Sequence, residues 1–248
     1  MDKVKDAKSK AGAAGAARKP KPQSLKVSVK LDIEAAKNHL HWRDSQDAAG
    51  ELVELVRLAE SLIAPAVAYK IAYLDGRAAD EVTIEGVTFS SRVLRQNLES
   101  VERVFPYVIS IGPELERLAG ACGDPLRQYY LEGLADMALG VIARQLEGHL
   151  KRRHGLAGIS SMSPGSLEDW PITQQPHLFS LLGGPENSAG VRLTEHMLMV
   201  PRKSISGIFF PNEVSFESCQ LCPRKNCPGR RAAFDSDLKK KYRLDKGA

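Results

Sequence analysis

The chain has 248 residues, 43% of them hydrophobic and 26% charged, which suffices for one substantial core and leaves little length for a second independent domain. Its net charge of +5 sits at the ends: residues 1–22 hold seven Lys or Arg against Asp2 and Asp6, residues 223–248 hold nine against three acids, and the stretch between is left at −6. A body of that sign offers no phosphate-tracking face, so no nucleic acid partner is expected. Apolar runs such as Leu62 to Ala68 fall far short of the roughly 20 residues a membrane span needs. With no charged-then-apolar leader, the expectation is a cytoplasmic protein with no membrane association.

Residues 1–24 are rich in Lys, Ala, Gly and Pro and lack large apolar side chains, so they are predicted to form a disordered basic tail. A single domain is expected over 25–215, then a Cys-rich loop at 216–231 and a basic tail at 232–248. Val27, Val29 and Leu31 alternate like a short strand, and Asp32 stands where a helix can begin. Leu52, Leu55, Val56, Ala59, Leu62 and Ile63 recur at helical spacing and should stop near Pro65. Val67 to Leu74, Val82 with Ile84, and Val87 with Phe89 read as strands parted by turns at Asp75-Gly76 and Glu85-Gly86. Ser90 or Ser91 can cap a helix running through Val101, and Tyr107 to Ile111 reads as a strand ended by Gly112-Pro113.

Asp124 followed by Pro125 is a strong helix start, and the helix should run to Arg153 with Lys151, Arg152 and Arg153 at its negative end and Gly155 beyond. Gly133 and Gly140 lie seven apart near Ala143, a small face that suits packing of this helix on a sheet. A loop is predicted at Gly158–Gly165, then a helix capped by Thr173 and ended by Gly183-Gly184. Val191 with Leu193, and Ile205 with Ile208 and Phe209, suggest extended segments joined across Pro201.

Three motifs follow in order: Ser163-Pro164-Gly165, Gly190-Val191-Arg192-Leu193-Thr194-Glu195, and Met199-Val200-Pro201-Arg202-Lys203-Ser204-Ile205-Ser206-Gly207. Together with Ser110-Ile111-Gly112-Pro113-Glu114-Leu115 ahead of the long helix, this pattern over Val27 to Cys227 resembles the reactivation domain family of cobalamin-dependent methionine synthase, in particular its stand-alone members. The resemblance implies an α+β fold, a curved antiparallel β-meander surrounded by helices, one of them long. It further implies a role in methionine biosynthesis: restoring a Co(II) corrinoid by one-electron reduction coupled to methylation from S-adenosylmethionine. By the same resemblance, Ser163, Pro164, Gly165, Thr194, Glu195, Arg202, Lys203 and Ser204 are the candidate cofactor-facing residues.

The sequence departs from the family where the methyl donor is gripped. The family loop Arg-x-x-x-Gly-Tyr corresponds here to Ser161, Met162, Ser163, Pro164, Gly165 and Ser166, and the acidic residue of the long helix falls at Gly140 or Arg144. An Arg pairs a carboxylate through two hydrogen bonds, and a serine hydroxyl does not replace it, so S-adenosylmethionine is expected to bind weakly. Residue by residue, plainer roles stand beside these: turns at Gly165 and Gly190, core filling by Met197 and Met199, local hydrogen bonding by Thr194 and Glu195, a solvated turn for Arg202-Lys203-Ser204.

Cys219-x2-Cys222-x4-Cys227 places three thiols in a Pro- and Gly-containing loop, a pattern that suits an iron-sulfur cluster or zinc, with Cys122, His196 or an external molecule as fourth ligand. Inert or redox-active free thiols are the alternative, and the nearby Arg224, Lys225, Arg230 and Arg231 favour thiolate in either case. His39 and His41 are two apart and do not share a face, and no GK[ST] loop, HExxH or GxSxG is present. The chain also lacks a DxHxxG cobalamin motif, so cobalamin would be carried by a partner, a separate corrinoid protein or methyltransferase. The expected function is therefore assistance in reductive reactivation or methylation of that partner's corrinoid. The alternatives are a non-catalytic scaffold or chaperone for the corrinoid protein and, resting on the Cys cluster alone, a metal-dependent regulator.

Overall fold

The computed structural model describes residues 21–43, 50–227 and 229–244. The predicted disordered tail lies mostly outside these residues, but its last part does not: Gln23–Ser24 form a strand, β1. The next stretch follows the predicted alternation only in part. Val27 and Val29 are half-buried against the core and Leu31 is buried, yet no strand pairing forms there. Alternation records an extended backbone with one face inward and is silent on whether a neighbouring strand is within reach.

Asp32 caps helix α1 (Ile33–Leu40), its carboxylate accepting from Ala35 N at 2.7 Å. Helix α2 (Glu51–Leu62) buries Leu52, Leu55, Val56 and Ala59 as the spacing predicts. Strands β2 (Ala66–Tyr69), β3 (Ala72–Arg77), β4 (Glu81–Ile84) and β5 (Val87–Ser90) follow. Asp75-Gly76 is not a turn: both residues belong to β3, which carries a register shift between Leu74 and Gly76, an irregularity that bends a strand without ending it. Ser91 caps α3 (Arg92–Asn97), a helix shorter than expected.

Strand β6 (Arg103–Ser110) organises the sheet, and seven of its eight residues are buried because both of its faces are covered. One edge pairs antiparallel with β2 (Val67 opposite Ile109) and then with β3 (Ala72 opposite Val104). The other edge pairs with β10 (Ser204–Pro211), Tyr107 opposite Gly207, and β10 pairs in turn with β7 (Ile159–Met162), Phe209 opposite Ser161. β3, β4 and β5 continue as a meander, and the sheet stays open. Alternate residues of β6 feed two cores. Phe105, Tyr107 and Ile109 face α1, α2 and the long helix Pro125–His154, whereas Val104 and Val108 join Phe89, Trp170, Leu178 and Ile208 on the other side.

After α4 (Glu114–Ala121), α5 runs as one 30-residue helix, Pro125–His154, with Asp124 accepting from Leu126 N and Arg127 N and Gly155 closing it in the left-handed conformation. Its glycines differ in role. A Cβ on Gly133 would lie 2.4 Å from Leu40 Cδ2, so that glycine admits helix α1, not the sheet, and Gly140 packs against no other element. The predicted loop at 158–165 holds strand β7 at its centre. Thr173 does not cap a helix, since it lies inside a 3-10 turn, Ile172–Gln174, that leads into α6 (Gln175–Leu181). α7 (Glu186–Ala189), the short hairpin β8 (Arg192–Leu193) and β9 (Met199–Val200), and α8 (Ser236–Lys241) complete the fold. Among the described residues no helix is long and apolar enough to cross a membrane.

Candidate functional site

Strand β7 ends at Met162 and the chain turns at once. Ser166 N and Ser166 Oγ both donate to Ser163 O, at 3.1 and 2.7 Å, and Gly165 N donates to Trp170 O at 2.7 Å. Gly165 has φ +83°, and a Cβ on it would sit 2.9 Å from Ile172 Cδ1, so both conformation and space call for glycine. The turn is fastened from behind. Trp170 is fully buried, edge-on to Phe89 at 5.9 Å, and Asp169 accepts from Ser91 Oγ at 2.6 Å and Val93 N at 3.0 Å. Pro164 is buried, while Gly165 and Ser166 are exposed, so the turn presents backbone and one short hydroxyl to solvent.

Beside this turn lies a polar cluster that sequence reasoning missed. The Tyr107 hydroxyl hydrogen-bonds with Ser163 and Ser161; burial pushes its pKa up, and those two bonds oppose the rise. Gly207 opens the space: a Cβ there would fall 2.6 Å from Met162 O and from Ser163 Oγ, and 3.0 Å from Tyr107 Oη. Gln175, 2% exposed, donates to Ser206 Oγ at 3.2 Å from behind β10, and its Oε1 has no hydrogen-bond partner among the described residues. Tyr107 looked like a strand residue and Gly207 like the end of a motif. Only the β6–β10 register, Tyr107 opposite Gly207, connects them.

The Cys-rich segment adjoins the same turn. Ser166 Oγ lies 3.5 Å from Ser218 Oγ, and the Arg231–Glu217 ion pair, 3.0 Å, acts electrostatically on Tyr107. Arg231 N donates to Cys219 Sγ at 3.5 Å. The centre of the loop is held by the Arg230 guanidinium, which donates to the carbonyls of Cys219, Cys222 and Ala232, each at 3.0 Å, and to that of Arg224. Cys219, Cys222 and Cys227 are half-buried free thiols, and among the described residues no three His, Cys, Asp or Glu side chains are gathered to hold a metal. The predicted fourth ligands lie elsewhere: Cys122 donates to Asp124 O at the start of α5, and His196 is exposed at the tip of the β8–β9 hairpin.

The remaining candidates do not converge on the turn. Arg202 and Lys203, among the candidate cofactor-facing residues, pair with the protein's own acids. Arg202 N and Nε donate to Glu116 at 2.9 and 3.1 Å and its guanidinium also pairs with Glu132. Lys203 Nζ lies 2.7 Å from both Glu132 and Asp136. Burial works against ionisation of Glu132, and the donations from Lys203 and Arg202 outweigh it, holding the carboxyl below its usual range. Ser204 donates to Pro201 O at 2.7 Å. Thr194 shapes the hairpin, its Oγ1 accepting from Leu198 N at 3.1 Å, and Glu195 is exposed beside His196.

No family model matches the chain, and no curated protein does. Among solved structures it is similar to one described as the crystal structure of the MetH reactivation domain bound to AdoHcy, at 17% identity and a TM-score of 0.53, with 82% of each chain covered. The likeness extends over most of both molecules, and at that identity it establishes a shared fold: the chain has the α+β architecture of the reactivation domain.

Proposed function

We propose that this protein is an accessory for a separate corrinoid protein or methyltransferase, presenting the turn Ser163–Ser166 and the adjoining β10 edge to the partner's corrinoid during reductive reactivation or methylation. The observation that carries the reading is the pairing of a reactivation-domain fold with a glycine-dependent turn set beside Tyr107 and Gly207. The cobalamin belongs to the partner, since this chain has no corrinoid motif of its own. The solved relative is bound to AdoHcy, whereas here Ser161 and Ser166 stand where the family has Arg and Tyr, so S-adenosylmethionine binds weakly in this reading.

The test uses the corrinoid protein held as Co(II) with a reductant. Adding this protein should alter the cobalt absorption or speed the loss of the Co(II) signal. Ser166→Trp is the informative variant because Ser166 is exposed, whereas tryptophan at Gly165 would meet Ile172 and a positive φ. No spectral change and no complex at tens of micromolar would overturn the reading.

One observation favours the scaffold alternative. Arg202 and Lys203 are neutralised internally, so the face they occupy offers no free charge to a methyl donor. A scaffold would bind the corrinoid protein and leave the Co(II) decay rate unchanged. An iron-sulfur cluster or zinc at Cys219, Cys222 and Cys227 is a separate part of the reading; it requires the thiols to close further than they do around Arg230, and no step is routed through it. Elemental analysis of anaerobically purified protein, against Cys222→Ser, decides it.

A further inference from the structure

Helix α5 carries a pattern that the reading above does not use: Gly140, Arg144, Gly148 and Arg152 recur at intervals of four, which aligns them along one inclined stripe of the helix surface. Interior glycine weakens a helix, so two of them ask for a reason. Packing against another element is not the reason. A Cβ on Gly140 would meet only Arg144 Nη1, at 3.4 Å, and a Cβ on Gly148 only the Arg152 guanidinium, with Nη1 at 3.2 Å. Each glycine lets the arginine one turn further on lie back flat along the helix.

The flattened arginines line a cleft of about 420 Å³ between α5 and the extended segment before α1. Its walls are Leu25, Lys26 and Val27 on one side and Val141, Arg144, Gln145, Gly148, His149 and Arg152 on the other. The extended wall is tied to α5 by Gln145 Nε2, which donates to Ser28 O at 2.6 Å, and to β2 by Leu25 N, which donates to Val67 O at 3.2 Å. No acid lines the cleft, and among the described residues no carboxylate pairs with Lys26, Arg144 or Arg152; the nearby Glu147 is engaged with Lys151 at 2.9 Å. Burial, and after it the charges of Arg153 and Arg152, lower the pKa of His149.

We propose that this cleft is an anion site for a small phosphate-bearing ligand, with Arg144 and Arg152 as its forked donors and Lys26 closing it from the opposite wall. Two guanidiniums held flat provide the paired N–H geometry that phosphate oxygens accept, and the volume suits a small molecule better than a folded partner. The acidic body makes such a local cationic cleft stand out electrostatically.

The full chain is titrated with inorganic pyrophosphate by calorimetry at low ionic strength, and the imidazole resonances of His149 are followed in parallel. Saturable one-to-one binding that shifts His149 is expected, weakened about tenfold or more by Arg152→Gln or Arg144→Gln. Arg192→Gln, a charge change on β8, which does not line the cleft, should leave it unchanged. Gly148→Ala favours the helix and should weaken binding by displacing Arg152. Binding that is non-saturable, indifferent to Arg144→Gln and Arg152→Gln, or seen with a hexaglutamate peptide and not with pyrophosphate overturns the proposal.

Discussion

Gly207 lies opposite Tyr107 across the β6–β10 ladder, and a single added methyl group would stand 3.0 Å from the Tyr107 hydroxyl and 2.6 Å from Ser163 Oγ. The close approach holds Tyr107 against the solvent-facing turn, so the turn's shape depends on a residue of β10 that lies outside it. Gly207→Ala should therefore destabilise the protein by about 1–3 kcal/mol through overpacking against backbone. Urea unfolding measures it, and an unchanged midpoint would show that the turn is free to move.

Gly148→Ala should do the reverse. Its Cβ meets only the flexible end of Arg152, so the gain in helix propensity, about 0.5–1 kcal/mol, should appear as a higher unfolding midpoint. A fall in stability would mean that Arg152 is held in place by something beyond the cleft described above.

Much of the architecture was legible in the sequence because it rests on local chemistry. Asp32 and Asp124 announce their helices through a side-chain oxygen that any N-terminus needs, and Gly155 ends α5 for a conformational reason visible in the residue itself. The failures share a cause. Thr173, the unpaired stretch from Val27 to Leu31, and the β3 bulge at Asp75-Gly76 all depend on which segment lies alongside, and a single sequence does not state that. The same holds for the candidate site. The turn at Ser163–Gly165 was found from its motif, but Tyr107 lies 56 positions from Ser163, and the acids that neutralise Arg202 and Lys203 sit on other elements.

Two lysine–glutamate pairs offer a contrast in burial. Lys70 Nζ lies 2.5 Å from Glu85 with both side chains under a tenth exposed, whereas Lys30, at 86% side-chain exposure, pairs with Glu60 at 3.0 Å. Lys70→Met removes the buried ammonium that pairs with Glu85 and donates to Leu181 O, and should cost about 3–5 kcal/mol. Lys30→Met should cost under about 1 kcal/mol. Equal losses in chemical denaturation would contradict the burial argument.

Acid should loosen the junction of β10 with α4 and α5. Because Glu132 is held below the value of 4.5 assigned to a free glutamate, the unfolded chain takes up its proton first as the pH falls. The stabilisation is complete above that value and is lost as pH falls through the folded one. Urea midpoints followed from pH 7 to pH 3 should drop, and Glu132→Gln, less stable at pH 7, should show a shallower drop.

The missing Arg and Tyr can be put back. Ser161 lies half-buried on β7 within hydrogen-bond reach of Tyr107, while Ser166 is exposed on the turn, so tyrosine at 166 can turn to solvent past Ser218 and arginine at 161 must extend past the Tyr107 hydroxyl. If the turn retains the geometry of a methyl-donor loop, Ser161→Arg combined with Ser166→Tyr should tighten S-adenosylmethionine binding. A charge-assisted hydrogen bond contributes about 1.5–3 kcal/mol, or roughly tenfold to a hundredfold in affinity. Ser166→Tyr alone should fold like the parent and bind only slightly better. Calorimetry on the parent, the single variant and the double variant separates two outcomes. A rise confined to the double variant means that the turn keeps its geometry and only its gripping side chains have changed. Equal, negligible heats in all three, with folding verified by circular dichroism, would mean that this fold no longer holds a methyl donor, leaving the scaffold reading as the one to pursue.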